Sequence, residues 1–378
     1  MSGRAHRAWL LVPAGVSLLA GIDAGLLLLE LPAPVGSAHL PDVHGPLMVL
    51  GFLGTLIALE RAVALRSTLG HAAPALLGLG GLALVAGLPR PVGQVLLLDG
   101  TLALVAVLVA LWRRRRDDPV MVEVLGACLA VLAALLWVRV DAAVVVPLLA
   151  GFVVLTIAAE RVELARVHLP ASAAQVLVVV AAVVATAAMG AVLFPDPGSR
   201  AFGLSLFALV AWLAPRDVAR HTVRGSRQPR FCAVAMLAGY AWLAVAGVAW
   251  AVSGVTTTPA AHDVVVHTIF LGFVMSMVLA HAPVILPAVL RRPVPYRPLL
   301  WVPLVVLHTG LLVRVAGDLA DRPLLVAAGG YGTAAALLLL PASALLTATL
   351  PPPATRATTP SPTRARARAV LTPPQEHP

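Results

Sequence analysis

The sequence contains no lysine; its 27 basic residues are all arginine. Charge of either sign is scarce. Only 12% of the 378 residues are charged, 60% are hydrophobic, and the mean hydropathy is +0.94. That balance excludes a soluble domain. Apolar runs of roughly 20 residues recur along the chain, each long enough for a bilayer core of ~30 Å. Lipid offers the backbone no hydrogen-bond partners, so such runs cross as helices. The expected fold class is an all-α polytopic membrane protein, with the lipid bilayer as its solvent. Cysteine is also nearly missing. Cys128 and Cys232 fall in or beside expected spans without CxxC spacing, and read as small apolar packing residues. The net charge of +10 does not point to nucleic acid, because the arginines cluster at span ends and in the tail. The Ala, Val, Leu and Pro bias, with arginine replacing lysine, indicates a high-GC bacterial genome. The expected location is the bacterial inner membrane.

Twelve spans are expected, near 8–29, 44–64, 73–89, 92–112, 119–138, 142–160, 171–194, 200–215, 230–252, 262–290, 298–317 and 323–349. Arg4 and Arg7 precede an apolar run to Leu29 that is long for a cleaved signal, so it reads as a retained first span. With both termini cytoplasmic, only Arg90, Arg139, Arg200, Arg314 and Arg322 fall outside, and the other 22 arginines lie inside. This asymmetry follows the positive-inside rule and sets the expected orientation. Residues 1–350 read as a single transmembrane domain. Residues 351–378, rich in Pro, Thr and Arg, lack the apolar content to bury a core. They read as a disordered cytoplasmic tail near anionic headgroups.

The sequence repeats internally. Gly51–Arg66 reads GFLGTLIALERAVALR and Gly151–Arg166 reads GFVVLTIAAERVELAR, identical at seven of sixteen positions. A weaker copy, Gly272–Ala282, reads GFVMSMVLAHA and puts His281 where the others have glutamate. The copies fall on the second, sixth and tenth spans, four helices apart. Such a period divides twelve helices into three pseudo-repeated four-helix units about a pseudo-threefold axis. The pairs Glu60–Arg61 and Glu160–Arg161 close the first two copies. They read as snorkelling or mutually satisfied charges that set helix depth; proton-path carboxylates are the alternative.

Of the eleven histidines, His44, His262, His267, His281 and His308 fall in or at the mouths of spans. His44 begins the second span, and His262 and His267 begin the tenth on the same expected side. Burying an imidazole without a partner costs several kcal/mol, on the order of 2–7 for polar groups in general. A metal or haem iron is one partner that makes the placement favourable; a hydrogen bond at the interface is another. Met48 lies one turn after His44, and Met275 and Met277 follow His267. Their thioethers suit haem iron or Cu(I), or simply packing. His281 sits deep in its span before Pro283 and Pro287, where it either satisfies local backbone or acts as a second ligand or proton relay. His308 lies mid-span, with Arg314 two turns on, in a position suited to buried anionic groups.

His44-Gly45-Pro46-Leu47-Met48, within twelve spans, resembles the low-spin haem motif on the second helix of the haem-copper oxidase and nitric oxide reductase catalytic subunit. His262 and His267 match that family's tenth-helix pair only loosely. The sixth span has no histidine, and spans seven and eight have no His-His pair, so the binuclear centre is missing and turnover of oxygen or nitric oxide is not implied. His44…Gly51-Phe52 and His267…Gly272-Phe273 are closer to the NnrS family, twelve-span bacterial membrane proteins implicated in nitric oxide stress and associated with haem and copper. The resemblance covers about 60 residues plus topology. It implies a haem-copper oxidase subunit I-like fold and a b-type haem ligated by His44 and His267. It also implies Arg314 at the haem propionates, copper as a further cofactor, and partners such as a respiratory electron donor or nitric oxide. Metal ligands on this reading come from His44, His267, His281, His308 and Met48. The alternatives are a transporter of copper or a small solute, for which Asp23 is the one acidic intramembrane candidate, and a cofactor-free structural or assembly protein.

Overall fold

A computed structural model describes the backbone of residues 9–170, 172–290 and 296–349, with side chains as far as 283 and again from 296 to 347. Among these residues every regular element is helical. Eleven helices are long and apolar enough to cross a membrane, which makes this a multi-pass membrane protein. In chain order they are α1 (Leu11–Leu28), α2 (Pro41–Leu65), α4 (Arg90–Arg115), α5 (Asp118–Leu136), α6 (Ala142–His168) and α7 (Ala173–Leu193). They continue as α8 (Pro195–Arg216), α9 (Arg227–Ser253), α10 (Pro259–Pro283), α11 (Pro298–Leu319) and α12 (Pro323–Thr347). Between α2 and α4 runs a shorter apolar helix, α3 (Leu69–Val85). The expected tail 351–378, Arg291 and Arg292 lie outside the described residues.

Local chemistry sets the ends. Proline stands in the first two positions of α4, α8 and α10, where its missing N–H costs nothing and its fixed φ suits the helix. That is why α8 starts at Pro195 rather than near 200 as expected. At the start of α10 the Thr258 side chain accepts a hydrogen bond from the Ala261 N–H at 3.2 Å, a helix cap. α3 stops at Val85 rather than 89, because Gly87 takes a left-handed conformation with φ +67° and its N–H turns back to the Leu84 carbonyl. Arg66 and Arg116 close α2 and α4 in the same left-handed region, with φ values of 56° and 51°.

Burial sorts the helices. The apolar windows of α6, α10 and α2 are 83%, 72% and 67% buried, whereas those of α4, α7 and α12 are 33%, 33% and 28% buried. The three helices that share the internal repeat are therefore the inner ones, and the others turn apolar faces outward to lipid. The Gly of each Gly-Phe pair permits this packing. A Cβ on Gly51 would lie 3.3 Å from the Gly81 Cα of α3, one on Gly151 2.7 Å from Leu129 of α5, and one on Gly272 2.6 Å from Trp242 of α9. Small residues let membrane helices approach closely where no hydrophobic driving force pulls them together. The described chain up to Ala348 forms one compact unit.

Candidate functional site

Helices α2 and α10 share an irregularity that the sequence did not announce. After Pro41–Val43 and His44–Pro46, α2 winds as a π-helix over Leu47–Gly54 and resumes α geometry at Thr55. In α10 the α-helical turn ends at His267, and a π-helix follows over Thr268–Val274. α6 stays α-helical from Val146 to Ala165. The two repeat helices with a histidine at their start are thus the two that carry a π segment. The Gly-Phe pair is not the cause, because α6 has it too. A π segment widens the turn, re-aims the side chains beside it, and is frequent at functional sites.

His44 and His267 line one cavity of about 100 Å³, together with Met48, Arg314 and apolar side chains that include Ile22, Leu149 and Phe270. Each imidazole has its Nδ1 tied back. His44 Nδ1 lies 3.0 Å from the Gly21 carbonyl. His267 Nδ1 lies 3.1 Å from the Asp263 carbonyl and 2.9 Å from the Asp263 carboxylate. A neutral imidazole that donates through Nδ1 presents the Nε2 lone pair to a ligand. A carbonyl or carboxylate behind the ring is the usual support of a metal-binding histidine. Gly21 and Gly25, one turn apart on α1, leave the room. A Cβ on Gly25 would stand 3.3 Å from His44 Cε1, and one on Gly21 would collide with the Met48 thioether.

Arg314 reaches the cavity but spends its guanidinium on Asp263, donating from Nε at 2.7 Å and from Nη2 at 2.5 Å. This fork on a carboxylate is a strong, oriented pair. Asp263 therefore joins α10 to α11 and holds His267 at the same time. Sequence reasoning passed over it, although a residue four before His267 on a helix is its neighbour. Asp23, the acidic candidate for transport, is 3% exposed and accepts the N–H groups of Val35 at 2.8 Å and Gly36 at 3.1 Å. Its carboxylate fastens the loop that follows α1.

The other histidines part company with this site. His262 Nδ1 is 3.2 Å from the Thr256 hydroxyl at the start of α10. His308 accepts the Trp242 indole N–H at 2.9 Å and so ties α11 to α9. His281 Nδ1 is 2.7 Å from the Met277 carbonyl, one turn back on its own helix. His281 lines a second cavity, of about 520 Å³, together with Glu60, Glu160 and Met277. Met275 is 3% exposed and lines neither cavity.

The Glu-Arg pairs are satisfied across helices rather than within them. Arg61 hydrogen-bonds Glu160 of α6, lies 3.3 Å from Glu123 of α5, and stands 3.7 Å from its neighbour Glu60. Arg161 donates to Asp217 at 2.8 and 2.7 Å, and Asp217 also accepts the Tyr240 hydroxyl at 2.6 Å. Neither Glu123 nor Asp217 stood out in the sequence, because each is a lone acid whose partner lies on a distant helix.

Among the described residues no group of three or more His, Cys, Asp or Glu side chains is placed to hold a metal ion. The cavity on α2 and α10 offers two imidazoles and one thioether. No curated protein matches the chain significantly. The model of a family described as "Domain of unknown function (DUF8744)" matches residues 7–349, and the protein belongs to that family.

Proposed function

We propose that this membrane protein holds a b-type haem between α2 and α10, with the His44 and His267 imidazoles as axial ligands, and serves in electron transfer or nitric oxide response rather than as an oxidase or reductase. The observation that carries the reading is the pair of imidazoles lining one cavity, each with Nδ1 engaged and Nε2 left for a ligand. Two imidazoles suffice for haem iron, whose macrocycle supplies the remaining nitrogens, whereas a metal bound by protein alone takes more side-chain ligands. The apolar walls suit a macrocycle. At about 100 Å³ the cavity is smaller than the ~300–1,000 Å³ of most cofactor sites, so its walls must part to admit one. A bound haem would supply a one-electron couple. The chain's own part is to hold the two rings, through Gly21 and Asp263, and to exclude water.

The finer topology belongs to the same proposal: twelve spans, with α3 as the third, arranged as three four-helix units around α2, α6 and α10. In a bacterial inner membrane with cytoplasmic termini, the His44 cavity then faces outward. Copper is the second reading, favoured by the small cavity and by Met48 beside the two imidazoles. The test is the reduced-minus-oxidised optical spectrum of the purified protein, with a pyridine haemochrome and metal analysis. We expect b-type bands near one haem per chain that disappear in His44→Ala and in His267→Ala while both variants still insert. Copper without haem would select the second reading. Full-strength bands in both variants, or neither cofactor after expression with haem and copper supplied, would end the proposal.

A further inference from the structure

The second cavity lies where the internal repeat converges. Glu60, Glu160 and His281 each stand nine residues after the glycine of a Gly-Phe pair, and all three line this one space. Three helices far apart in sequence thus turn their matching polar positions onto a shared volume. The rest of the wall is apolar, from Leu18, Phe52, Ile157 and Met277 among others. About 520 Å³ of space, apolar with a few convergent polar groups, falls within the ~300–1,000 Å³ of small-molecule sites. Leu345 of α12 lines the cavity yet is 69% exposed, so the cavity borders an outward-facing apolar side chain past which a lipophilic molecule can arrive from the bilayer.

Charge decides what such a molecule carries. Three carboxylates, Glu60, Glu123 and Glu160, surround the single guanidinium of Arg61. Arg161 stands beside His281, its Nη1 3.5 Å from the imidazole Nε2, and its other two nitrogens are bound by Asp217. Glu160 is committed to Arg61. Glu60, at 3.7 Å from Arg61 and with its side chain 39% exposed, is beyond hydrogen-bond distance and is the freest acid on the cavity wall. Against Glu60, a cation gains an ion pair and hydrogen bonds in a poorly solvated place, whereas an anion meets like charge.

The geometry points to this cavity as a binding site for a hydrophobic cation, its apolar body among the Leu, Phe and Ile side chains and its positive head against Glu60. This is independent of any cofactor at His44 and His267, which line the other cavity.

Equilibrium dialysis of the full-length protein in detergent tests it with two ions matched in size and shape, tetraphenylphosphonium and tetraphenylborate. We expect saturable binding of about one phosphonium per chain, with the borate at least tenfold weaker. Glu60→Gln should weaken phosphonium binding at least tenfold. Ala344→Phe, which fills the cavity from α12, should abolish it. Both variants are checked for monodispersity and helicity, and the comparison of the two ions on the unmodified protein needs neither of them. Equal or tighter saturable binding of the borate, no saturable binding of the phosphonium, or unchanged phosphonium affinity in folded Glu60→Gln and Ala344→Phe would overturn the assignment.

Discussion

Replacing Asp217 by asparagine changes one atom in the most heavily bonded carboxylate among the described residues. Its side chain is fully buried, and it accepts from Arg161 Nε at 2.8 Å, Arg161 Nη2 at 2.7 Å, the Tyr240 hydroxyl at 2.6 Å and the Ala219 N–H at 2.8 Å. Asparagine keeps the shape, but it loses the charge and turns one acceptor into a donor. Arg161, 6% exposed, is left without its counter-charge. Breaking a buried pair from one side costs about 3–5 kcal/mol. We expect a loss near the lower figure, roughly a hundredfold in the folded-to-unfolded ratio. The assay is an SDS unfolding titration from mild detergent, followed by tryptophan fluorescence. The double variant Arg161→Met, Asp217→Leu removes both charges and should recover part of that loss. Recovery stays incomplete, because Tyr240 and the Ala219 N–H then lack their acceptor, at about 1–3 kcal/mol each. Burial pushes the Asp217 carboxyl up, but the hydrogen bonds and charge of Arg161, with the Tyr240 and Ala219 donors, hold it below its ordinary value overall. Its stabilisation is therefore complete above the ordinary carboxylate range and is lost as pH falls through the lower folded value. Wild type should lose stability over that acid window more steeply than Asp217→Asn. An Asp217→Asn variant within about 0.5 kcal/mol of wild type, a size typical of surface substitutions, would refute the reasoning.

Three further outcomes follow from the same geometry. Asp263→Asn removes the carboxylate behind His267 and the partner of Arg314, and should lower retention of a metal or haem by about 10–100-fold, read as cofactor per chain after dialysis. Gly25→Leu drives a branched side chain against the His44 ring; the protein should insert and lose its cofactor bands, and unchanged bands would show that His44 is not a ligand. Asp23→Ala leaves the Val35 and Gly36 N–H groups without their acceptor and should cost about 1–3 kcal/mol, with faster proteolysis of the loop after α1 as the readout.

Hydrophobic run length marked out the spanning helices, because a bilayer leaves a long apolar segment no other structure in which its backbone is satisfied. Residue identities alone set α2, α6 and α10 apart by their matching Gly-Phe stretches. The burial of those three helices has the same cause, since the glycine each copy keeps is what lets a neighbour pack closely. His44, His267, Met48 and Arg314 were legible as unusual polar or soft groups in an apolar chain. Their sharing of one cavity was not, because it depends on where α2, α10 and α11 stand relative to one another and on π segments that no periodicity records. The histidines illustrate the division. By sequence His281 and His308 were ligand candidates like the others; tertiary packing alone gave one to a cavity with Glu60 and Glu160 and the other to Trp242. The Glu-Arg pairs are clearer still. Adjacent residues on a helix point apart, so Arg61 and Arg161 found their closest acidic partners on other elements, Glu160 of α6 and Asp217 of the bend after α8. The sequence by itself determined that the chain is a membrane-spanning helical protein, because solvent transfer acts residue by residue. Only the tertiary structure decided which polar side chains meet across the fold, because pairings such as Arg61–Glu160, Arg161–Asp217 and Arg314–Asp263 close between elements dozens of residues apart.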